Sequence, residues 1–348
     1  LTGPVQSLLA LMSSAWRAYA LRTRRRRNLW RAFRSRHALR AVKDRSGAIG
    51  RDDILCFMSV RNEALRLPHF LDHHRKLGVD HFLIVDNDST DGTRDLLAAQ
   101  PDVSLWTTKD SYKRARFGLD WVTWLQMRHG HGHWCLTLDA DELLIYPYWQ
   151  TRNLPALTGW LADQGLPAMA AMMLDLYPEG PLSQAQIAAG DDPLTVLRWF
   201  DPGNYGLRVQ DRTGNLTIKG GPRARMFFQN DPRRAPTMNK IPLVYWNRRY
   251  AYVNSTHDLL PPRMNAVFAN GGGERISGLL LHTKFLPEII PKSAEEKDRK
   301  EHFTNSTLYD RYYDAVMADP VLHTAASEQL TSWRRLEALG LMSRGGWV

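Results

Sequence analysis

The chain has 348 residues, 43% of them hydrophobic and 24% charged, with a mean hydropathy of −0.41. That is enough length for a sizeable buried core, and no run approaches the roughly 20 apolar residues of a membrane-spanning helix. The net charge of +10 is concentrated in residues 1–48, which hold twelve Lys/Arg and one acid, Asp44. This leaves 34 of the 46 basic and 35 of the 36 acidic residues for a nearly neutral body, which argues against a nucleic-acid-binding body.

In residues 1–48, Val5, Leu8, Leu9, Met12, Trp16 and Tyr19 recur at helical spacing. The arginine run 24–27 follows, then Leu29, Trp30 and Phe33. Apolar and aromatic residues interleaved with arginine suit a helix on an anionic membrane surface; a basic extension or a helix packed on the body is an equal alternative.

From residue 53 the pattern becomes strand–helix alternation. The run 54–60 reads as a buried strand, followed by a helix with Pro68 near its start, ending near Lys76 with Gly78 as terminator. Further strands are expected at His81–Val85, Val103–Trp106 and Trp134–Leu138. Helices are expected through Leu96-Leu97, capped by Thr90 or Asp91, and over 113–128. Beyond residue 150, a helix is expected over Leu154–Leu161, strands over Met169–Leu174 and Ile276–His282, and helices over 292–339. Residues 178–240 are rich in Gly, Pro and Asp, as site-covering segments often are. The alternation implies right-handed βαβ units and a mostly parallel sheet, whose ligands bind beyond the carboxyl ends of the strands. Three polar clusters fall at such ends: Arg61-Asn62-Glu63, Asp86 to Asp91, and Asp139 to Glu142.

Asp139 and Asp141 are two apart, which places both carboxylates on one side of an extended chain. Such a pair is repulsive unless a cation offsets it, and Mg²⁺ and Mn²⁺ prefer oxygen ligands shared with phosphates. The pair is too close in sequence for two-carboxylate glycoside hydrolysis, and no G-x-S-x-G elbow supports nucleophilic hydrolysis. The two cysteines, Cys56 and Cys135, sit in apolar runs and are expected to be buried and reduced, which favours the cytoplasm, with peripheral attachment to the inner face of the membrane.

Taken in order, Ser59-Val60-Arg61-Asn62-Glu63, His73-His74 through Phe82, Asp86 to Thr93 and Leu138 to Glu142 resemble the GT-A glycosyltransferases. The closer resemblance is to the bacterial family 2-like group related to family 92. It covers about residues 53–147 and continues more loosely to Leu281-His282-Thr283-Lys284-Phe285. It implies a Rossmann-like α/β domain over 49–348, with a nucleotide-binding half at 49–150, an acceptor side at 151–290 and C-terminal helices at 291–348. It also implies a nucleoside-diphosphate sugar donor, a UDP-sugar by analogy, a saccharide or lipid-linked acceptor, and Mn²⁺ or Mg²⁺.

The implied nucleotide-side residues are Arg61, Asn62, Glu63, Asp86, Asp88 and Asp139, with Lys284 and Arg223 near phosphate. Arg225 stands beside Arg223 as a further candidate. The implied metal ligands are Asp139, Asp141 and His282. Asp258 and Asp175 are the candidate bases for deprotonating an acceptor hydroxyl. A nucleotidyltransferase is the nearest alternative, disfavoured because no glycine-rich loop follows the first strand. A non-catalytic protein acting through the basic extension is the other.

Overall fold

The computed structural model describes residues 4–211, 213–268, 274–299 and 306–348. Nine strands form one sheet: β1 (Arg40–Lys43), β2 (Leu55–Val60), β3 (His81–Asp86), β4 (Val103–Thr107), β5 (Trp134–Thr137), β6 (Glu142–Ile145), β7 (Ala168–Asp175), β8 (Asn239–Tyr245) and β9 (Ser277–His282). Their order is β1-β4-β3-β2-β5-β8-β7-β9-β6. β2, β3, β4, β5, β7 and β9 run one way; β1, β6 and β8 run against them. The fold is α/β, with a mixed and mostly parallel central sheet flanked by helices.

Alternation along the strands divides the core. One face of β2 sends Cys56, Met58 and Val60 into a cluster with Phe82, Ile84, Leu136 and Met169. There they meet α2 (Leu67–Leu77), α3 (Thr93–Ala99) and α5 (Leu154–Asp163). The other face sends Leu55 and Phe57 against Leu83, Val85, Ile241 and α4 (Leu119–His129), which supplies Trp121, Val122 and Leu125. Strands covered on both faces need unbroken apolar runs, and β3 and β7 are buried throughout. Both cysteines are free and buried.

Gly78 ends α2 at φ +101°, its N–H donating to the Arg75 carbonyl and that of Val79 to the His74 carbonyl, as the sequence leads one to expect. The helix expected over 113–128 instead starts at Leu119. Arg116, Phe117 and Gly118 all have positive φ, which right-handed helix cannot accommodate. The C-terminal region is also less helical than expected. Between α8 (Ser306–Met317) and α9 (Trp333–Ala338) lies non-helical chain with a short strand at Glu328–Gln329; α6 (Gly221–Phe227) and α7 (Ile289–Arg299) precede them.

The extension is a long helix, α1 (Pro4–Ser35), packed on α4, with Leu21, Asn28 and Ala32 buried. The side chains of Val5, Leu8, Leu9 and Met12 lie outside the described residues. Among the described residues, no helix is long and apolar enough to cross a membrane.

Candidate active site

Six strands deliver their carboxyl ends to one sheet edge, and the reversed β6 and β8 deliver their amino ends to it. Thus Arg61, Asp86, Asp139, Asp175 and His282 follow or end forward strands, while Glu142 and Lys240 begin reversed ones. A cleft of about 510 Å³ opens along this edge, lined by Arg61, Asn62, Glu63, Asp139, Asp141 and His282, and on its other walls by Arg66, Arg223, Lys240 and Lys284. Residues 254–257 and α7 complete the rim.

The first two polar clusters interlock. Arg61 donates through Nη1 to the Asn87 and Asp88 carbonyls at 2.8 and 2.9 Å. The N–H groups of Asn62, Glu63 and Ala64 donate to Ser89 Oγ, Thr93 Oγ1 and Asp91 Oδ2, and Asn62 Oδ1 accepts from the Thr90 N–H. Asp91 also accepts from the Thr93 N–H at the start of α3. Asp86 is fully buried; Oδ1 accepts from the Ser89 N–H, and Oδ2 from Arg94 Nε at 2.9 Å and the Thr107 hydroxyl. Asp86 therefore braces the loop from beneath rather than lining the cleft, where Asn87 stands instead. Asp88 is partly exposed, 3.8 Å from both Arg94 and Lys109. Glu63 pairs with Arg66 at 3.0 Å and Lys292 at 2.5 Å.

The third cluster is tied to a buried cation, Lys240, that the sequence alone does not single out. Lys240, only 3% exposed, pairs with Asp139 Oδ2 at 2.7 Å and with Glu142 Oε1. Glu142 Oε2 also accepts from the Asp139 N–H, closing the turn. Burial pushes the Glu142 carboxyl up to about 7 against the opposing pull of Lys240, while that ammonium, despite its own burial, is held charged by Asp139 and Glu142. Lys240 sits second in an apolar strand; a charge inside such a run is the signal that could have marked it.

Asp141 faces His282, with Oδ2 3.2 Å from Nε2. His282 Nδ1 donates to Asp175 Oδ1 at 2.6 Å, and Asp175 Oδ2 accepts from Arg223 Nε at 2.7 Å. This relay fixes the imidazole with Nε2 toward Asp141. Burial works to raise the Asp141 carboxyl, but His282, Lys284 and Arg66 hold it well below the usual range. Burial likewise opposes charge on His282, and Asp141 with Asp175 raises it. Burial lowers the pKa of Lys284.

The donor set suits a divalent cation that completes its shell with ligand oxygens: one imidazole nitrogen and one carboxylate, with an exposed oxygen-bearing side chain, Asp139, nearby. Among the described residues no group of three or more His, Cys, Asp or Glu forms a metal site. The cleft also carries unspent donors. Arg61 Nε, Arg66 Nε and Arg223 Nη2 are buried without a hydrogen-bond partner in the described structure, as expected where an anion supplies the acceptors.

The two expected bases stand elsewhere. Both oxygens of Asp175 are engaged by His282 and Arg223, which makes it a positioning group behind the site. Asp258 accepts from Asn215 Nδ2 at 2.9 Å and from Thr213, and its neighbours Thr256 and His257 line the cleft in its place. Arg225 makes a paired contact with Asp201, away from the cleft, whereas Arg223 lines it.

No family model matches the chain, and no curated protein matches it. Among solved structures it is similar to glucosyl-3-phosphoglycerate synthase from Mycobacterium tuberculosis, a complex with Mn²⁺, uridine diphosphate and phosphoglyceric acid. That match has 15% identity and a TM-score of 0.22 and covers 38% of this chain and 46% of that one, so the chain spans under half of that protein. It is also similar to 4-diphosphocytidyl-2C-methyl-D-erythritol synthase, with 12% identity and a TM-score of 0.28, covering 83% and 98% of the two chains. A third likeness is to the UTP-bound UGPase from Acinetobacter baumannii, with 10% identity and a TM-score of 0.27, covering 79% and 95%. These are distant likenesses of fold, and the fold class stated above rests on the sheet and helices of this chain.

Proposed function

We propose that the protein is a metal-dependent glycosyltransferase. It moves a sugar from a nucleoside-diphosphate sugar, a UDP-sugar by resemblance, to a hydroxyl of a saccharide or lipid-linked acceptor in envelope or polysaccharide synthesis, with inversion. The observation that carries this reading is the Asp141–His282 pair at the strand tips, surrounded by arginines with unspent buried donors. Residues 49–150 would form the nucleotide side and 151–290 the acceptor side.

Asp141 and His282 would hold Mn²⁺ or Mg²⁺, with Asp139 beside them; when bound, the ion supplies charge neutralisation for a departing diphosphate. Asp175 keeps the Nε2 lone pair of His282 toward the ligand position. Arg223, Arg66 and Lys284 offer positive charge to the phosphates, and the Arg61-Asn62-Glu63 turn borders the nucleotide. Burial makes each such contact stronger than it would be in water.

The test is thermal unfolding with uridine diphosphate, with and without Mn²⁺, for the native chain and Asp141→Asn. A ligand at a hundredfold excess over its Kd adds about 2.7 kcal/mol of stability. The native chain is expected to gain stability from nucleotide with metal, and Asp141→Asn to lose most of that gain. Absence of stabilisation by any nucleoside diphosphate, with or without metal, sinks the proposal. Turnover of a nucleoside triphosphate and a sugar phosphate with release of pyrophosphate would transfer the site to nucleotidyl transfer.

A further inference from the structure

The face of α1 that does not touch the body carries its own pattern. Leu21, Asn28 and Ala32 are buried, Asn28 donates to the Tyr252 carbonyl, and Arg31 pairs with Asp120 at 2.9 Å. These residues fix the rotation of the helix about its axis. At about 100° per residue, the residues turned the other way include Trp16, Tyr19, Arg22, Arg26, Arg27 and Trp30, within an arc of roughly 140°; beyond them the helix meets the body, where Phe33 packs edge-on against Trp124 and Arg34 borders a hollow with Asp110 and Asp120. The arc is exposed, Trp16 at 70%, Tyr19 at 58% and Trp30 at 59%. Trp16 stacks on Tyr19 and Trp30 on Phe33, so two aromatic pairs bracket Arg22, Arg26 and Arg27.

Single exposed aromatics are ordinary; Trp16, Tyr19 and Trp30 on one face with three arginines and no acid are not. Arg25, on the side of α1 turned to the body, has its pKa lowered first by partial burial and then by Arg22, Arg263, Arg26 and Arg249.

We infer that this face is a docking surface for an anionic phospholipid bilayer, a role independent of the sugar-transfer reading. A second copy of the chain is a poor occupant, because it would set arginine against arginine. A straight row of about 21 Å from Trp16 to Trp30 matches a plane rather than a knob. Trp and Tyr settle at the headgroup level, and each arginine gains from a negative surface. The helix would lie along the membrane, its inner face still bolted to α4.

The experiment is co-sedimentation of the full chain with vesicles of phosphatidylcholine alone, and of phosphatidylcholine mixed equally with phosphatidylglycerol. Both are repeated in low and high salt. Binding is expected to the anionic vesicles, to weaken in high salt, and to be slight on neutral ones. Arg26→Glu with Arg27→Glu should reduce partitioning at least about tenfold. Trp16→Ser with Trp30→Ser should reduce it severalfold at both salt concentrations, and brominated lipid should quench tryptophan emission in the native chain more than in this variant. These positions are exposed, and unchanged circular dichroism will certify the fold of each variant.

Equal binding to neutral and anionic vesicles, or unchanged binding by both folded variants, overturns the inference. Tighter retention of single-stranded RNA than of anionic vesicles, lost in the same variants, would replace it with a nucleic-acid surface.

Discussion

Replacing Lys240 by methionine keeps a four-atom apolar stem and deletes the terminal ammonium. The ammonium is buried between Asp139 and Glu142, and Glu142 has no exposure to water. Removing one partner of a buried pair leaves the other uncompensated, at a cost of about 3–5 kcal/mol. An unfolding entropy of roughly 2.1 cal/mol/K per residue makes each kcal/mol worth about 1.4 °C for a chain of this size. Lys240→Met should therefore lower Tm by about 4–7 °C. The same change in a Glu142→Gln background removes one ammonium opposite one carboxylate rather than two, so its additional cost should fall to about half. The assay is thermal unfolding of the native chain, both single variants and the double, read as a double-mutant cycle. A Lys240→Met protein as stable as the native one, or strictly additive effects, would refute the view that this lysine clamps the two acids.

Three further outcomes follow from the geometry. Asp175→Asn removes the carboxylate that orients His282, and metal affinity read by titration of Mn²⁺ against nucleotide binding should fall about 10–100-fold. Gly118 has φ +76°, and an added Cβ would stand 2.3 Å from Ser59 Oγ in the cleft floor, so Gly118→Ala should lower Tm and weaken ligand binding together. His73 and His74 are held below the ordinary histidine pKa, chiefly by burial. Both stay neutral in the folded chain while their unfolded counterparts protonate. Their contribution is thus whole above about pH 6.5 and is lost as pH falls below it, by up to roughly 1.4 kcal/mol per pH unit for each. Denaturant midpoints at pH 7.5 and 5.5 measure this, and His74→Gln should flatten the slope.

The forward strands were readable because each is a short apolar run that ends in a polar cluster, as Leu55–Val60 and Trp134–Thr137 do. Hence the interlocked 61–64 and 86–93 loops could be anticipated as neighbours. Strand direction leaves no mark in a strand buried on both faces, so the sequence could not say that β8 runs backward and brings Lys240 to the acids. The sequence is equally silent on what Asp175 touches. A carboxylate at a strand tip looks identical whether it faces solvent or is held between a histidine and an arginine. The tight turn before α4 was hidden because Arg116 and Phe117 are not residues that usually take positive φ.

One consequence lies at the far border of the sheet. Among the described residues β6 pairs only with β9, and a bare border strand invites a second chain to add to it. Here His73 Nε2 donates to the Leu144 carbonyl at 2.8 Å, and His74 Nε2 accepts from the Leu144 N–H at 3.4 Å, its Nδ1 donating to Phe70. Two adjacent imidazoles thus plug both backbone groups of the middle of that strand. A protonated His74 has no lone pair for the Leu144 N–H, so acid would unseal the border, and the molecule would become liable to stack through its sheets into aggregates.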